Sequence, residues 1–120
     1  MRTIITTVGT SLLTNFRKAI EGSEPTELAL ANYLRHTPAE QASAETNSLN
    51  RLLSEDDSII FLHSTTDEGR LCADCLARHF SSMDYGSSSI VIPDLSYQES
   101  RFKMRGLRSL VSKIIECINA

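Results

Sequence analysis

Three short runs with adjacent apolar residues at their centres or ends predict the strands of this chain. They occupy residues 2–8, 57–63 and 88–92, they are rich in β-branched side chains, and each is bounded by glycine, proline or polar residues. Runs of this length without polar alternation are typical of strands buried on both faces. Gly9 ends the first run and Pro93 stops the third.

Between and after these runs, apolar residues recur every three or four positions, which indicates helices. The predicted helices span residues 11–20, 24–35, 38–53, 66–80 and 107–118. Pro25 suits the first turn of the second helix, and Thr66 suits the N-cap of the fourth. Buried strands that alternate with helices predict an α/β fold, a Rossmann-like three-layer domain with a mainly parallel central sheet and flanking helices.

Length, composition and charge limit the classes of protein to which this chain can belong. The 120 residues are enough for a single domain, 1–120, and the 41% hydrophobic and 22% charged residues are ordinary for a globular chain. A net charge of −3 disfavours binding to a DNA or RNA duplex. The three cysteines suit a reducing compartment, and no apolar run reaches the ~20 residues of a membrane span. We therefore expect a cytoplasmic domain without membrane contact.

Ligands of parallel α/β sheets bind beyond the carboxyl ends of the strands. The first such end is Gly9-Thr10-Ser11, where a strand passes directly into a helix. The free N–H groups of a helix start attract anions, commonly phosphate. The turn lacks the further glycines of the dinucleotide fingerprint and the Gly-Lys of the P-loop. Ordinary capping by Thr10 or Ser11 explains it equally well.

The second strand end carries hydrogen-bonding side chains over residues 63–67. They suit ribose hydroxyls or an adenine edge, although capping by Ser64, Thr65 or Thr66 is the alternative. A hydrolase triad of Ser11, His63 and Asp67 can be assembled, but the Gly-x-Ser-x-Gly elbow is missing, so we disfavour it.

Two further segments are unusually polar or basic. Residues 43–48 hold many short polar side chains, which fits either a ligand contact or a helix that starts with Ser43 as its cap. Residues 101–106 form the densest positive patch and precede the last helix, where they oppose its dipole. We expect an anion near this patch rather than a merely solvated loop.

The Cys72-x-x-Cys75 pair has metal-like spacing but lacks a second pair. One such pair within a helix is more typical of a packed face. We expect neither a metal nor a cofactor.

Four segments in the same order resemble the CARF domain (CRISPR-associated Rossmann fold), the sensor of type III CRISPR systems. The strongest match is Thr-Val-Gly-Thr-Ser-Leu-Leu-Thr-Asn at 7–15, followed by segments 43–49, 64–70 and 101–111. This resemblance implies a homodimer that binds a cyclic oligoadenylate, usually the tetramer, across its two-fold axis as a sensor in antiviral defence. A ring of four identical nucleotides has the same two-fold symmetry as such a dimer.

The resemblance also implies which residues bind the ligand. They are Gly9, Thr10, Ser11, Asn15, Ser43, Glu45, Ser64, Thr65, Thr66, Asp67, Arg101, Lys103, Arg105 and Gly106. Members of that family commonly act through a C-terminal or separate effector module, so such a module is an expected partner.

Some CARF domains also cleave their ligand as metal-independent ring nucleases, giving linear products with a 2′,3′-cyclic phosphate. In that alternative Ser11 would position the phosphate or the 2′-OH, and Lys103 would stabilise the developing charge, with Arg105 as the second choice. A different nucleotide-binding enzyme on a Rossmann-like fold is the remaining alternative.

Overall fold

The computed structural model describes residues 2–92 and Ile115. Helices and strands alternate through this part of the chain. They are β1 (Thr3–Thr7), α1 (Ser11–Ala19), α2 (Glu27–His36), α3 (Ala39–Ala42), α4 (Ala44–Leu52), β2 (Ser58–His63), α5 (Asp67–Ser81) and β3 (Gly86–Val91). The predicted basic segment 101–106 lies outside the described residues, as does the predicted helix 107–118 apart from Ile115.

The sheet confirms the predicted parallel α/β architecture. Its strands are ordered β1-β2-β3, and both pairings are parallel. The Val8 N–H donates to the Leu62 carbonyl at 2.8 Å, and the Ile92 N–H donates to the His63 carbonyl at 2.7 Å. All three described strands therefore end at one edge of the sheet, where a Rossmann-like fold places its ligands.

One face of the sheet carries the main core. Ile59 and Phe61 point from β2 into a cluster to which all five described helices contribute buried side chains. Right-handed crossovers that step in the same direction across a sheet place their helices on the same face, which explains this arrangement. The opposite face bears a separate apolar cluster around Leu62 and Ile92.

Several predicted boundaries are wrong for identifiable reasons. The helix predicted at 38–53 is two helices, because Ser43 is extended (φ −162°, ψ 165°) and starts α4. The second helix begins at Glu27 rather than 24, since the Thr26 side chain caps it, so Pro25 precedes the cap. The third strand starts at Gly86, two residues before the predicted run, through pairing with β2.

The first strand is also less buried than predicted. Its two terminal threonines are exposed, and its three inner residues are half-buried. In the described sheet β1 lies at an edge, with β2 on one side. A β-branched run alone does not distinguish an edge strand from a central one.

The amino-terminal edge of the sheet is closed by an ion pair. Arg2 contacts both carboxylate oxygens of Asp57, at 2.7 and 3.2 Å, and also donates to the Leu52 carbonyl at 2.7 Å. The Ser54 N–H donates to the same carboxylate at 2.9 Å. The hydrogen bond from Arg2, then that from Ser54, lowers the pKa of Asp57 to about 2.

Among the described residues, we find no helix that is both long enough and apolar enough to cross a membrane.

Candidate functional site

The turn between β1 and α1 is the first part of the site. Gly9 and Thr10 are exposed, and Ser11 begins the helix. The Thr10 side chain makes no capping hydrogen bond, so this helix start is not capped by its own N-cap residue. The alternative that Thr10 is an ordinary cap is therefore wrong.

Gly9 has a conformation that does not demand glycine. Its φ is not in the left-handed region, and a Cβ built on it would meet nothing within 4 Å. Neither backbone strain nor packing against the described chain therefore explains a glycine here. Residues 2–92 leave the space over the turn open.

A carboxylate from another helix lies against the same turn. Glu45, in the first turn of α4, is only 8% exposed. Its two oxygens accept hydrogen bonds from the Gly9 N–H and the Ser11 hydroxyl, each at 3.4 Å. The anion-binding donors predicted from the sequence thus hold an anion supplied by the chain itself.

Ser11 connects the starts of two helices. Its hydroxyl donates to Glu45 and accepts from the Ala44 N–H, the first residue of α4, at 3.0 Å. The positive ends of α1 and α4 therefore meet at one hydroxyl and one carboxylate. Both helix dipoles favour negative charge at this point.

Residues that flank Glu45 fix its position. Ser43 is 2% exposed and forms a capping box with Thr46, which supports the cap alternative for this segment. Asn15 donates its side-chain amide to the Gln41 and Ala42 carbonyls, both at 3.3 Å. These contacts hold α3 against α1 and thereby set where α4 begins.

The second strand end adds hydroxyl groups to the same edge. The Ser64 and Thr66 hydroxyls are 2.7 Å apart, and Thr66 accepts from the Gly69 N–H at 3.0 Å, so the predicted Thr66 cap is confirmed. A Cβ on Gly69 would lie 2.6 Å from the Ser64 Oγ, so the glycine lets that hydroxyl approach the helix. Thr65 and Asp67 are exposed.

The disfavoured hydrolase triad does not form. His63 is buried, and its Nδ1 lies 2.8 Å from the Ser64 carbonyl. Both hydrogen bonds of the Ser11 hydroxyl in the described chain go to α4 instead. Ser11 and His63 therefore lack the hydrogen bond that nucleophile and base require.

A comparison with family models decides the family. The model described as "CRISPR-associated protein (Cas_APE2256)" matches residues 40–120, more than half of the chain. The chain belongs to this CRISPR-associated family. No curated protein matches the chain.

The CRISPR-associated family match covers three of the four segments on which the resemblance rests, those at 43–49, 64–70 and 101–111. The turn at Gly9 precedes the matched range. Membership is consistent with a role in CRISPR defence. The turn contacts Glu45, so the structure joins it to segment 43–49 within the matched range.

The predicted site residues of this CRISPR-associated chain fall into two groups. The structure brings Gly9, Thr10 and Ser11 together with Ser43 and Glu45, Asn15 contacts the chain just before Ser43, and strand pairing puts residues 64–67 at the same edge of the sheet. The others, Arg101, Lys103, Arg105 and Gly106, lie outside the described residues. The roles of both groups in binding stay predictions.

We did not predict from the sequence that Glu45 and Ala44 form hydrogen bonds with the β1–α1 turn. The polar segment 43–48 singled out their neighbourhood, but nothing in the chain order says that α4 starts beside α1. Only the packing of the short helix α3 between them creates that contact.

The two described cysteines pack inside α5. Cys72 and Cys75 are buried, and burial raises the pKa of each thiol to about 11. They are thus inert thiols at neutral pH, as the packed-face interpretation predicts. Residues 2–92 contain no group of three or more His, Cys, Asp or Glu side chains placed to hold a metal ion.

Proposed function

We propose that this CRISPR-associated protein binds a cyclic oligoadenylate, with the cyclic tetramer as the first candidate, across a homodimer in type III antiviral defence. The observation that carries the proposal is the open space over Gly9 at an edge lined by polar turns. Within residues 2–92 nothing requires Gly9 to lack a side chain, whereas a ligand that approaches the backbone there would need that space.

The chemistry of the described edge suits a ribonucleotide. It offers backbone N–H groups and the hydroxyls of Ser64 and Thr66, which can pair with phosphate oxygens, ribose hydroxyls or base edges. None of the hydrogen bonds at this edge within residues 2–92 involves lysine or arginine. In this proposal Arg101, Lys103 and Arg105 would supply the positive charge for the phosphates.

Symmetry supports a dimer with a ring ligand. An isologous dimer presents the same turn twice, so each half of a two-fold symmetric ring would meet the same donors. A linear or mononucleotide ligand would not use both copies in this way.

Ring cleavage is the second candidate function, and the fixed hydroxyl of Ser11 favours it. That hydroxyl accepts a hydrogen bond from the Ala44 N–H at 3.0 Å, and this contact does not depend on the longer bond to Glu45. Cleavage of RNA at a 2′-OH needs alignment of that oxygen with the neighbouring phosphorus more than it needs a metal, and a fixed hydroxyl helps to set such alignment. Lys103 would stabilise the charge that develops on the phosphate.

Incubation of the protein with cyclic tetra-adenylate in EDTA, followed by chromatography, tests both candidates. Intact ring that co-elutes with a dimer supports sensing alone. Conversion to linear products that Ser11→Ala and Lys103→Ala abolish supports cleavage. If neither the cyclic tetramer nor the cyclic hexamer binds, the proposed function is wrong and another nucleotide ligand is favoured.

A further inference from the structure

The β1–α1 turn presents a contradiction for any anionic ligand. A Cβ on Gly9 would meet no atom of the described chain within 4 Å, yet the Gly9 N–H and the Ser11 hydroxyl already bind the Glu45 carboxylate. A phosphate at the same donors would stand beside that negative charge, and such like-charge contacts are unfavourable. Glu45 must therefore move away before a phosphate can take its place.

We infer that Glu45 is a specificity-determining residue: its carboxylate excludes small anions from the β1–α1 turn and yields only to a ligand that makes further contacts along the edge. The exclusion of small anions follows from the turn itself. The admission of a larger ligand rests on the proposed function.

Burial keeps the carboxylate in place. Glu45 is 8% exposed, and its side chain begins in the first turn of α4, where the helix dipole favours a negative charge. The positive end of α1 faces it from the other side. In the absence of ligand, a carboxylate is thus stable at this point without a lysine or arginine in its described hydrogen bonds.

The length of its hydrogen bonds makes the carboxylate displaceable. Both are 3.4 Å, which is beyond the usual ~2.7–3.2 Å for the N–H···O bond from Gly9 and ~2.5–3.0 Å for the O–H···O bond from Ser11. Phosphate bonds to such donors are typically shorter and stronger. A lone phosphate gains only those bonds and must overcome the charge, whereas a ring also gains contacts at Ser64, Thr66 and the partner subunit.

Selectivity follows from this difference. A helix start with free N–H groups can bind phosphate in general, so without Glu45 the turn would also bind common small anions. With Glu45 in place, the turn responds only to a ligand whose other contacts offset the displacement.

Titration of the full-length protein with inorganic phosphate and with AMP tests the inference, with the amide resonances of Gly9 and Ser11 as the readout. We expect no saturable shift in the wild type. Glu45→Gln, which keeps the shape and removes the charge, should bind phosphate at least about tenfold more tightly, a change of ~1.4 kcal/mol. Glu40→Gln is the matched control, because Glu40 is an exposed carboxylate in the first turn of α3.

Equal or weaker phosphate binding by Glu45→Gln overturns the inference. Saturable millimolar binding of phosphate at Gly9 in the wild type overturns it too, and that measurement needs no variant. Glu45→Ala serves if the glutamine variant loses its fold by circular dichroism.

A parallel titration with cyclic tetra-adenylate separates the two proposals. If Glu45→Gln gains phosphate binding but neither protein binds the ring, the inference holds and the proposed function fails. If the ring binds while phosphate affinity is unchanged by the variant, the reverse is true.

Discussion

Some residues in this chain are held in place by hydrogen bonds of the fold, whereas others are not constrained by the described fold. Asp57 and Ser43 are buried and fully engaged in hydrogen bonds to the chain. Gly9 is exposed, its backbone is not strained, and a Cβ on it would meet no atom of the described chain within 4 Å. A residue of the second kind at the proposed ligand-binding edge is where folding and binding can be tested separately.

Gly9→Ala should leave the fold intact and weaken ligand binding. Because a Cβ at Gly9 meets nothing within 4 Å, we expect the free energy of unfolding to change by less than about 1 kcal/mol. The same Cβ would fill the open space over the turn, so the affinity for cyclic tetra-adenylate should fall at least about tenfold, or ~1.4 kcal/mol. Urea unfolding and calorimetry measure the two effects.

Gly22→Ala is the matched control for that change. Gly22 has φ +77°, where an alanine is strained, and it lies in the exposed loop between α1 and α2. It should lose stability, by ~1 kcal/mol, and keep its affinity for the ring. Unchanged ring binding by Gly9→Ala would contradict the role given to the open turn.

Asp57 makes stability depend on acid pH. Its pKa is about 2 in the folded chain, below the ~3.9 of an unfolded aspartate. The stabilisation is therefore complete above pH ~4 and is lost as the pH falls through about 2. Urea midpoints of the wild type and Asp57→Asn should differ at pH 7 and converge towards pH 2.

Glu55→Gln is the control for this pH series, since Glu55 is an exposed carboxylate two residues away. It should follow the wild type throughout. A constant gap between the wild type and Asp57→Asn from pH 7 to pH 2 would show that the ion pair is not the cause.

At the scale of elements, the long helices and the strand cores were predictable and the short ones were not. Strong periodicity defines α5 and the run 58–63, and Thr66 marks a helix start by its type alone. The break at Ser43 depends on burial of its side chain in a capping box, and α3 is too short to have a period of its own. Tertiary contacts decide such elements.

Ser43→Ala tests whether the Ser43 cap fixes the start of α4. The variant removes the side-chain oxygen that caps the Thr46 N–H. It also leaves the buried Thr46 hydroxyl with one hydrogen-bond partner fewer. We expect a loss of ~1–2 kcal/mol in the free energy of unfolding. Ser48→Ala is the control, because Ser48 is exposed within the same helix, and it should change stability by less than ~0.5 kcal/mol.

If Ser43→Ala is as stable as the wild type, the capping box does not fix the start of α4. The position of Glu45 would then need another explanation.

At the scale of the whole molecule, the sequence predicts which strand ends lie at one edge of the sheet, but not which helix packs against them. The predicted parallel pairing of the strands is confirmed, and it places Gly9 and Ser64 at one edge of the sheet. It could not show that Glu45 reaches the same donors, because that contact spans 36 residues of sequence through helix packing. The predicted phosphate cradle is thus a turn that its own carboxylate occupies.

The central claim is that two copies of this chain hold one cyclic oligoadenylate. Calorimetric titration of the full chain with cyclic tetra-adenylate, in EDTA, measures it most directly. We expect saturable binding with one ring for every two chains. Absence of binding by both the cyclic tetramer and the cyclic hexamer, or one ring bound to each monomer, would contradict it.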